Sequence, residues 1–180
     1  MSYKLRLLAE LINRAKIYKS VFMDYDYLIY SNHFTVEPYY IINAIDGNFA
    51  HLTGVKPIIS ASDFYYACLN STLQEAHFTY IDKGSVHRKI KAFLNLQYLF
   101  FNNFQVEEIF SKGSIRCAIG TSDGQITVGF AKSVDVNPMT LLKGNQFDQS
   151  KAVDISLVLR RNKGTKNSTQ LFKAIFIDFT

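Results

Sequence analysis

Ser114-Ile115-Arg116-Cys117-Ala118-Ile119-Gly120-Thr121-Ser122-Asp123-Gly124-Gln125-Ile126-Thr127-Val128-Gly129-Phe130-Ala131 decides the fold class. Residues 114–119 and 126–131 follow the two-residue period of strands, and Gly120 to Gly124 between them reads as a hairpin turn. Upstream the period is helical. Residues 85–101 place Val86, Ile90, Phe93, Leu94 and Phe100 as an apolar stripe, and the second half is apolar almost all round, which implies deep burial. The change of period falls at Asn102-Asn103. Downstream, Met139 to Gly144 closes the hairpin part. Val153, Ile155, Leu157 and Leu159 then alternate with Asp154, Ser156, Val158 and Arg160, which predicts a strand with an apolar face and a polar face. A last strand follows over 171–179.

Toward the N-terminus, residues 3–20 read as an amphipathic helix with Leu5, Leu8, Ile12 and Ala15 on its apolar face. Residues 24–30 and 39–43 are tyrosine-rich and strand-like, joined as a hairpin through Ser31-Asn32-His33-Phe34. Lys56-Pro57 leaves helical geometry, and Ser60 to Asp63 caps a short helix bearing Phe64, Tyr65, Ala67, Cys68 and Leu69. The expected fold is therefore α+β: N-terminal helices with a C-terminal antiparallel β-sheet packed on the helix at 85–101. The expected core includes Ile90, Phe93, Leu94, Ile155, Leu157 and Ile175. Residues 1–180 form a single domain in this reading: an N-terminal helix over 1–20, a hairpin plus helical part over 21–110 and the sheet over 111–180.

Composition narrows the function. An apolar fraction of 48% with 19% charged residues belongs to a folded chain. Residues 1–150 hold 14 Lys/Arg against 13 Asp/Glu, whereas residues 151–180 hold six against two. The charge excess thus collects in Arg160, Arg161, Lys163 and Lys166, a solvated basic loop or a phosphate-facing edge. Cys68 and Cys117 lie far apart without a CxxC spacing, and the histidines are dispersed, so neither a zinc site nor a disulfide framework is expected. There is no phosphate-binding GxxxxGK[ST], dinucleotide fingerprint or HExxH, and no metal or other cofactor is expected. No apolar run has membrane-spanning length. The chain reads as cytoplasmic, with no membrane partner.

The remaining chemistry centres on Asn48-Phe49-Ala50-His51-Leu52-Thr53-Gly54-Val55. His51 is an acid/base near neutral pH. Hydroxyls (Thr53, Thr140, Ser156) and cations (Lys143, Arg160, Lys173) complete a set suited to metal-independent RNA cleavage, where a base takes the 2′-OH proton and cations neutralise the phosphate. A lone histidine in an apolar run is equally a hydrogen-bonded core residue.

Phe49-x-His51-Leu52-Thr53-Gly54, after tyrosine-rich strands and before a Phe-Tyr-Tyr helix, resembles the phage-associated branch of the Barnase–EndoU–colicin–RelE-like nucleases. Pro138-Met139-Thr140-Leu141-Leu142-Lys143 is similar to a segment common there. The resemblance covers most of residues 20–180. It implies a ribonuclease-like domain carried by phages or mobile elements, with a toxin role and host RNA or tRNA as partner. It implies His51 as general acid/base, Thr53 as an orienting group, and Lys143, Arg160 and Lys173 as phosphate-neutralising cations. Arg160, Arg161, Lys163 and Lys166 are the expected RNA-binding residues. The alternative is a catalytically inactive module on the same fold that binds nucleic acid or protein, such as an inhibitor or adaptor; a cognate inhibitor is a further candidate partner.

Overall fold

Ser2 starts the first helix: its hydroxyl accepts the Leu5 N–H at 3.1 Å, opening α1 (Tyr3–Tyr18) in this computed structural model. The structure describes residues 2–101, 103–132 and 135–173, the last two of these as backbone alone. The buried stripe of α1 is Leu7, Leu11, Arg14, Ala15 and Tyr18. It is turned from the expected one, and Leu5 is 41% exposed. Arg14 belongs to the inner stripe because its Nε donates to the Ile90 carbonyl at 3.0 Å and its Nη2 pairs with Glu10.

A π-helical turn leads into β1 (Tyr25–Tyr30), followed by β2 (Tyr40–Ile42). A short helix α2 (Phe49–Thr53) ends on Gly54, whose φ of 76° is the left-handed cap that glycine adopts without strain. Next come β3 (Lys56–Pro57), α3 (Ala61–Leu69), β4 (Phe78–Thr79) and α4 (Lys83–Ala92). As expected, Ser60 caps α3, its oxygen accepting the Asp63 N–H at 3.0 Å. The α-helix expected to reach residue 101 stops at Ala92 and continues as a 3-10 turn over Phe93–Tyr98. The tighter turn brings Phe93, Leu96, Leu99 and Phe100 inward and leaves Leu94, Tyr98 and Phe101 exposed. The expected burial of Leu94 and of the whole segment is thereby corrected.

The remaining strands are β5 (Gln105–Glu108), β6 (Ser111–Lys112), β7 (Ile115–Arg116), β8 (Ile119–Ser122), β9 (Ile126–Lys132), β10 (Val136–Lys143), β11 (Val153–Asp154), β12 (Leu157–Asn162) and β13 (Ser168–Lys173). Among the described residues nine strands form one sheet in the order β11-β5-β8-β9-β10-β2-β1-β12-β13. Every pair is antiparallel except β10 with β2, which meet in parallel at Val136 and Ile42. The sheet is therefore not confined to the C-terminal part: β1 and β2 enter it between β10 and β12. Its edge strand β11 runs directly into β12, the neighbour of the other edge strand β13. Residues 153–154 pair with β5 and residues 157–162 with β1, so this bent segment closes the sheet on itself. The bend is held by the Ser156 N–H on the Tyr30 carbonyl at 3.0 Å and the Ser31 hydroxyl on the Asp154 carbonyl at 2.6 Å.

The concave face carries the core. Phe22 of the π turn meets Phe100 and Phe130, and Phe100 stacks on Tyr27 at 4.1 Å between centroids. Pairing in register puts Val136, Ile42, Tyr27 and Arg160 in one row across four strands. Consequently Val158 and Arg160, not Leu157 and Leu159, share the face of Tyr27 and Ile29. Val158 is fully buried and Leu157 only partly so, which reverses the expected inner face of β12. Ile155 is buried at the bend; Ile175 lies outside the described residues. On the convex face, Gly120 and Gly129 leave room for Phe110, Phe147 and Cys117. A Cβ on Gly120 would stand 2.8 Å from Phe147, and one on Gly129 2.6 Å from Cys117 Sγ. Gly120 is thus a strand glycine under two rings rather than part of the turn, which falls at Gly124 with φ of 86°.

Candidate active site

The residues expected to act together occupy different parts of this frame. His51 lies exposed on α2. Its carbonyl, not its imidazole, receives Lys89 Nζ at 3.0 Å, and burial of that lysine lowers its pKa. Thr53, two residues on, is fully buried and donates its hydroxyl to the Ala50 carbonyl at 2.8 Å, closing the helix rather than reaching outward. Lys143 is exposed at the last residue of β10. Arg160 lies three strands away in the row of Val136, and at ~3.3 Å per residue Lys143 is a further ~20 Å along β10 from that row. The Arg160 guanidinium sits over the rings of Tyr25 at 4.3 Å and Phe101 at 5.4 Å. The Lys173 side chain lies outside the described residues. The structure brings His51 beside Lys89 and does not bring Lys143 and Arg160 together.

The basic loop is divided in the same way. Lys163 donates to the Ala44 carbonyl, and burial lowers its pKa. Arg161 Nη2 pairs with Asp26 Oδ2 at 3.0 Å. Lys166 is exposed. Only Arg161 and Lys166 of the four share a hollow, and they do so on the convex face.

A second constellation, not anticipated from the sequence, lines a groove of about 680 Å³ formed by the start of β2 and the loop before it, the 109–118 segment, the end of β9 and the start of β10. Glu37 and Lys132 pair across it, Arg116 stands on its hairpin wall, and Tyr39 and Ile109 are exposed at its rim. Arg116 Nη1 is fixed by the Gly113 and Ile115 carbonyls at 2.7 and 2.8 Å, and among the described residues no hydrogen bond holds Nε or Nη2. Glu37 is placed by its neighbours. The Glu108 carboxylate accepts the backbone N–H of Thr35 (2.7 Å), Val36 (3.2 Å) and Glu37 (3.3 Å), together with the Tyr40 hydroxyl (2.8 Å). Burial alone would raise the Glu108 pKa; these donors outweigh it and hold the carboxyl below its usual range. Pro38 then restricts Glu37 itself to extended backbone.

A carboxylate beside two cations, with an exposed ring at the rim, has the elements for moving a proton and stabilising a phosphoryl anion. Glu37-Pro38, in the connection between the two tyrosine-rich strands, was the available signal in the sequence. Nothing local marks Arg116 or Lys132, which reach the groove only through strand order. Both cysteines are buried and their thiols pushed up, Cys68 to about 12 and Cys117 to about 11, which suits core residues rather than nucleophiles. Among the described residues no three His, Cys, Asp or Glu side chains converge as a metal site, and no helix is long and apolar enough to cross a membrane.

Comparison with known proteins gives no match among curated sequences and none among solved structures. A family model does match, over residues 10–178, from within α1 through the last described strand; its description is phage-Barnase-EndoU-ColicinE5/D-RelE like nuclease4, and the chain belongs to that family.

Proposed function

We propose that this phage-type nuclease cleaves RNA at the groove, with Glu37 as general base. The observation that carries the reading is one carboxylate paired with Lys132 in a groove that Arg116 also lines. In the step, Glu37 takes the 2′-OH proton, the freed oxygen forms a bond to the adjacent phosphorus, and the bond from phosphorus to the 5′-oxygen breaks. That oxygen leaves as an alcohol by taking a proton from water in the open groove. Arg116 and Lys132 neutralise the added charge on the non-bridging oxygens, and the products are a 2′,3′-cyclic phosphate and a 5′-hydroxyl end. The exposed ring of Tyr39 offers a face for a base.

His51 is the second candidate base, favoured by its exposure and by the resemblance of its helix to the family pattern. One experiment separates the two: single-stranded RNA with EDTA present, cut by the parent chain, Glu37→Gln and His51→Ala, each verified as folded by circular dichroism. Glu37→Gln should lose about 10²–10⁴-fold in rate while His51→Ala retains most of it. The opposite pattern moves the site to α2, and no cleavage by the parent chain leaves the inactive binding module.

A further inference from the structure

Next to the groove lies a smaller hollow of about 150 Å³ on the convex face. Ile41 lines both, so the two adjoin at that residue. Its floor is the row Ile41, Leu28 and Leu159, set side by side by the register of β2, β1 and β12. That row spans about 10 Å, two strand spacings. Its far wall is cationic: Arg161, held to the floor by Asp26, and Lys166 from the following loop. Asp26 is 9% exposed, and its second oxygen, Oδ1, has no hydrogen-bond partner. A carboxylate kept in that state is costly unless it holds something in place, and what it holds here is the guanidinium. The rest of the convex face is different. Over β8 and β9 the rings of Phe110 and Phe147 close it.

We infer that this hollow is a second nucleotide subsite, which binds the neighbour of the nucleotide cleaved in the groove. The flat aliphatic row takes one face of a base, and Arg161 with Lys166 takes the phosphate on its far side. The occupant is single-stranded: a paired base would not expose its face to the row. Arg160 and Lys163 are not part of the subsite, since one sits over rings on the concave side and the other is spent on a backbone carbonyl. Arg161 supplies the fork geometry that suits phosphate, whereas Lys166 supplies a point charge.

The inference rests on the groove being the cleavage site, and its test is built to fail separately. In the Glu37→Gln background, binding of a 5′-fluorescein adenosine mononucleotide and of a 5′-fluorescein oligoadenylate of six nucleotides is measured by anisotropy, with and without Lys166→Glu. Lys166 is exposed on a loop, so this change leaves the core untouched; Arg161→Lys, which keeps the charge opposite Asp26, is the second variant. The six-nucleotide probe should weaken roughly threefold to tenfold with each variant and the single-nucleotide probe should hardly change. Equal weakening of both probes, or of neither, overturns the subsite. An acidic protein held through Lys166 would leave both probes unaffected and falls under that second outcome. Because the measurement is of binding, it stands whether or not Glu37 proves to be the base.

Discussion

Ile109 has φ of 55°, the left-handed region that a β-branched side chain enters only under strain. It follows β5 directly, donates its N–H to the Ala118 carbonyl at 2.8 Å, and turns the next residue, Phe110, onto the convex face above Gly120. The side chain of Ile109 itself is 66% exposed at the rim of the groove, so little burial compensates for the conformation. Such positions persist where their surroundings over-determine them, and they cluster at functional sites. Ile109→Gly should therefore raise stability by about 1 kcal/mol, the relief of strain exceeding the entropy glycine adds to the unfolded chain. The change is read as a higher urea midpoint at unchanged slope; a lower midpoint would mean that the side chain packs better than its exposure implies. Individual residues were legible in the sequence by type and not by direction. His51 and Thr53 were both visible as polar groups, yet one faces solvent and the other closes its own helix, a difference set by a helix of five residues ending at Gly54.

At the scale of elements, periodicity found the strands and helices but mistook which side of them was inner. On β12 both faces carry aliphatic residues, so alternation alone could not choose between Val158 and the pair Leu157 and Leu159. The choice came from pairing with β1, whose Tyr27 and Ile29 fix the concave side. The segment after Ala92 was read as continued α-helix because its apolar residues fit that period nearly as well as the tighter one, and Leu94 was misplaced as a result. The β1–β2 connection was read as a hairpin turn at residues 31–34, and nothing in it showed that its backbone at residues 35–37 is held by a carboxylate from β5. Glu108 has a folded pKa depressed below its unfolded value. Its contribution to stability is thus fully present above the unfolded range, near 4 to 5, and is lost as pH falls through the lower folded value. Glu108→Gln should cost roughly 1–3 kcal/mol at pH 7, since an amide accepts these N–H bonds only through its one oxygen and without charge. The difference from the parent should shrink in acid. Hydrogen exchange at Thr35, Val36 and Glu37 measures the same event locally, and unchanged protection in the variant would show that the loop is held by something else.

Across the whole molecule, the decisive contacts are the ones furthest apart in sequence. β2 lies beside β10 through the single pair Ile42 and Val136, and the bent segment at residues 153–162 closes the sheet. Neither has a local signature, so the α+β class was legible and the closed, partly parallel sheet was not. Closure also sorts the cations. A formal net charge of +5 is spread over the chain, but Arg116 and Lys132 line the groove and Arg161 and Lys166 the hollow beside it. Arg88 and Lys91 stand on α4, in the helical layer that packs on the concave face. If single-stranded RNA runs from the groove over the hollow and meets those four cations, log Kobs should fall with log salt at a slope of about −3, near −0.7 per phosphate contact. Changing Lys132 and Lys166 together to glutamine should reduce that slope by roughly 1.4. Changing Arg88 and Lys91 to glutamine should leave it as it was. Both titrations use the Glu37→Gln chain, so that binding is read without cleavage. The reverse result, a slope that responds to Arg88 and Lys91 and ignores the sheet, would carry the RNA over α4 and past Lys89, where the exposed imidazole of His51 is the acid/base within reach.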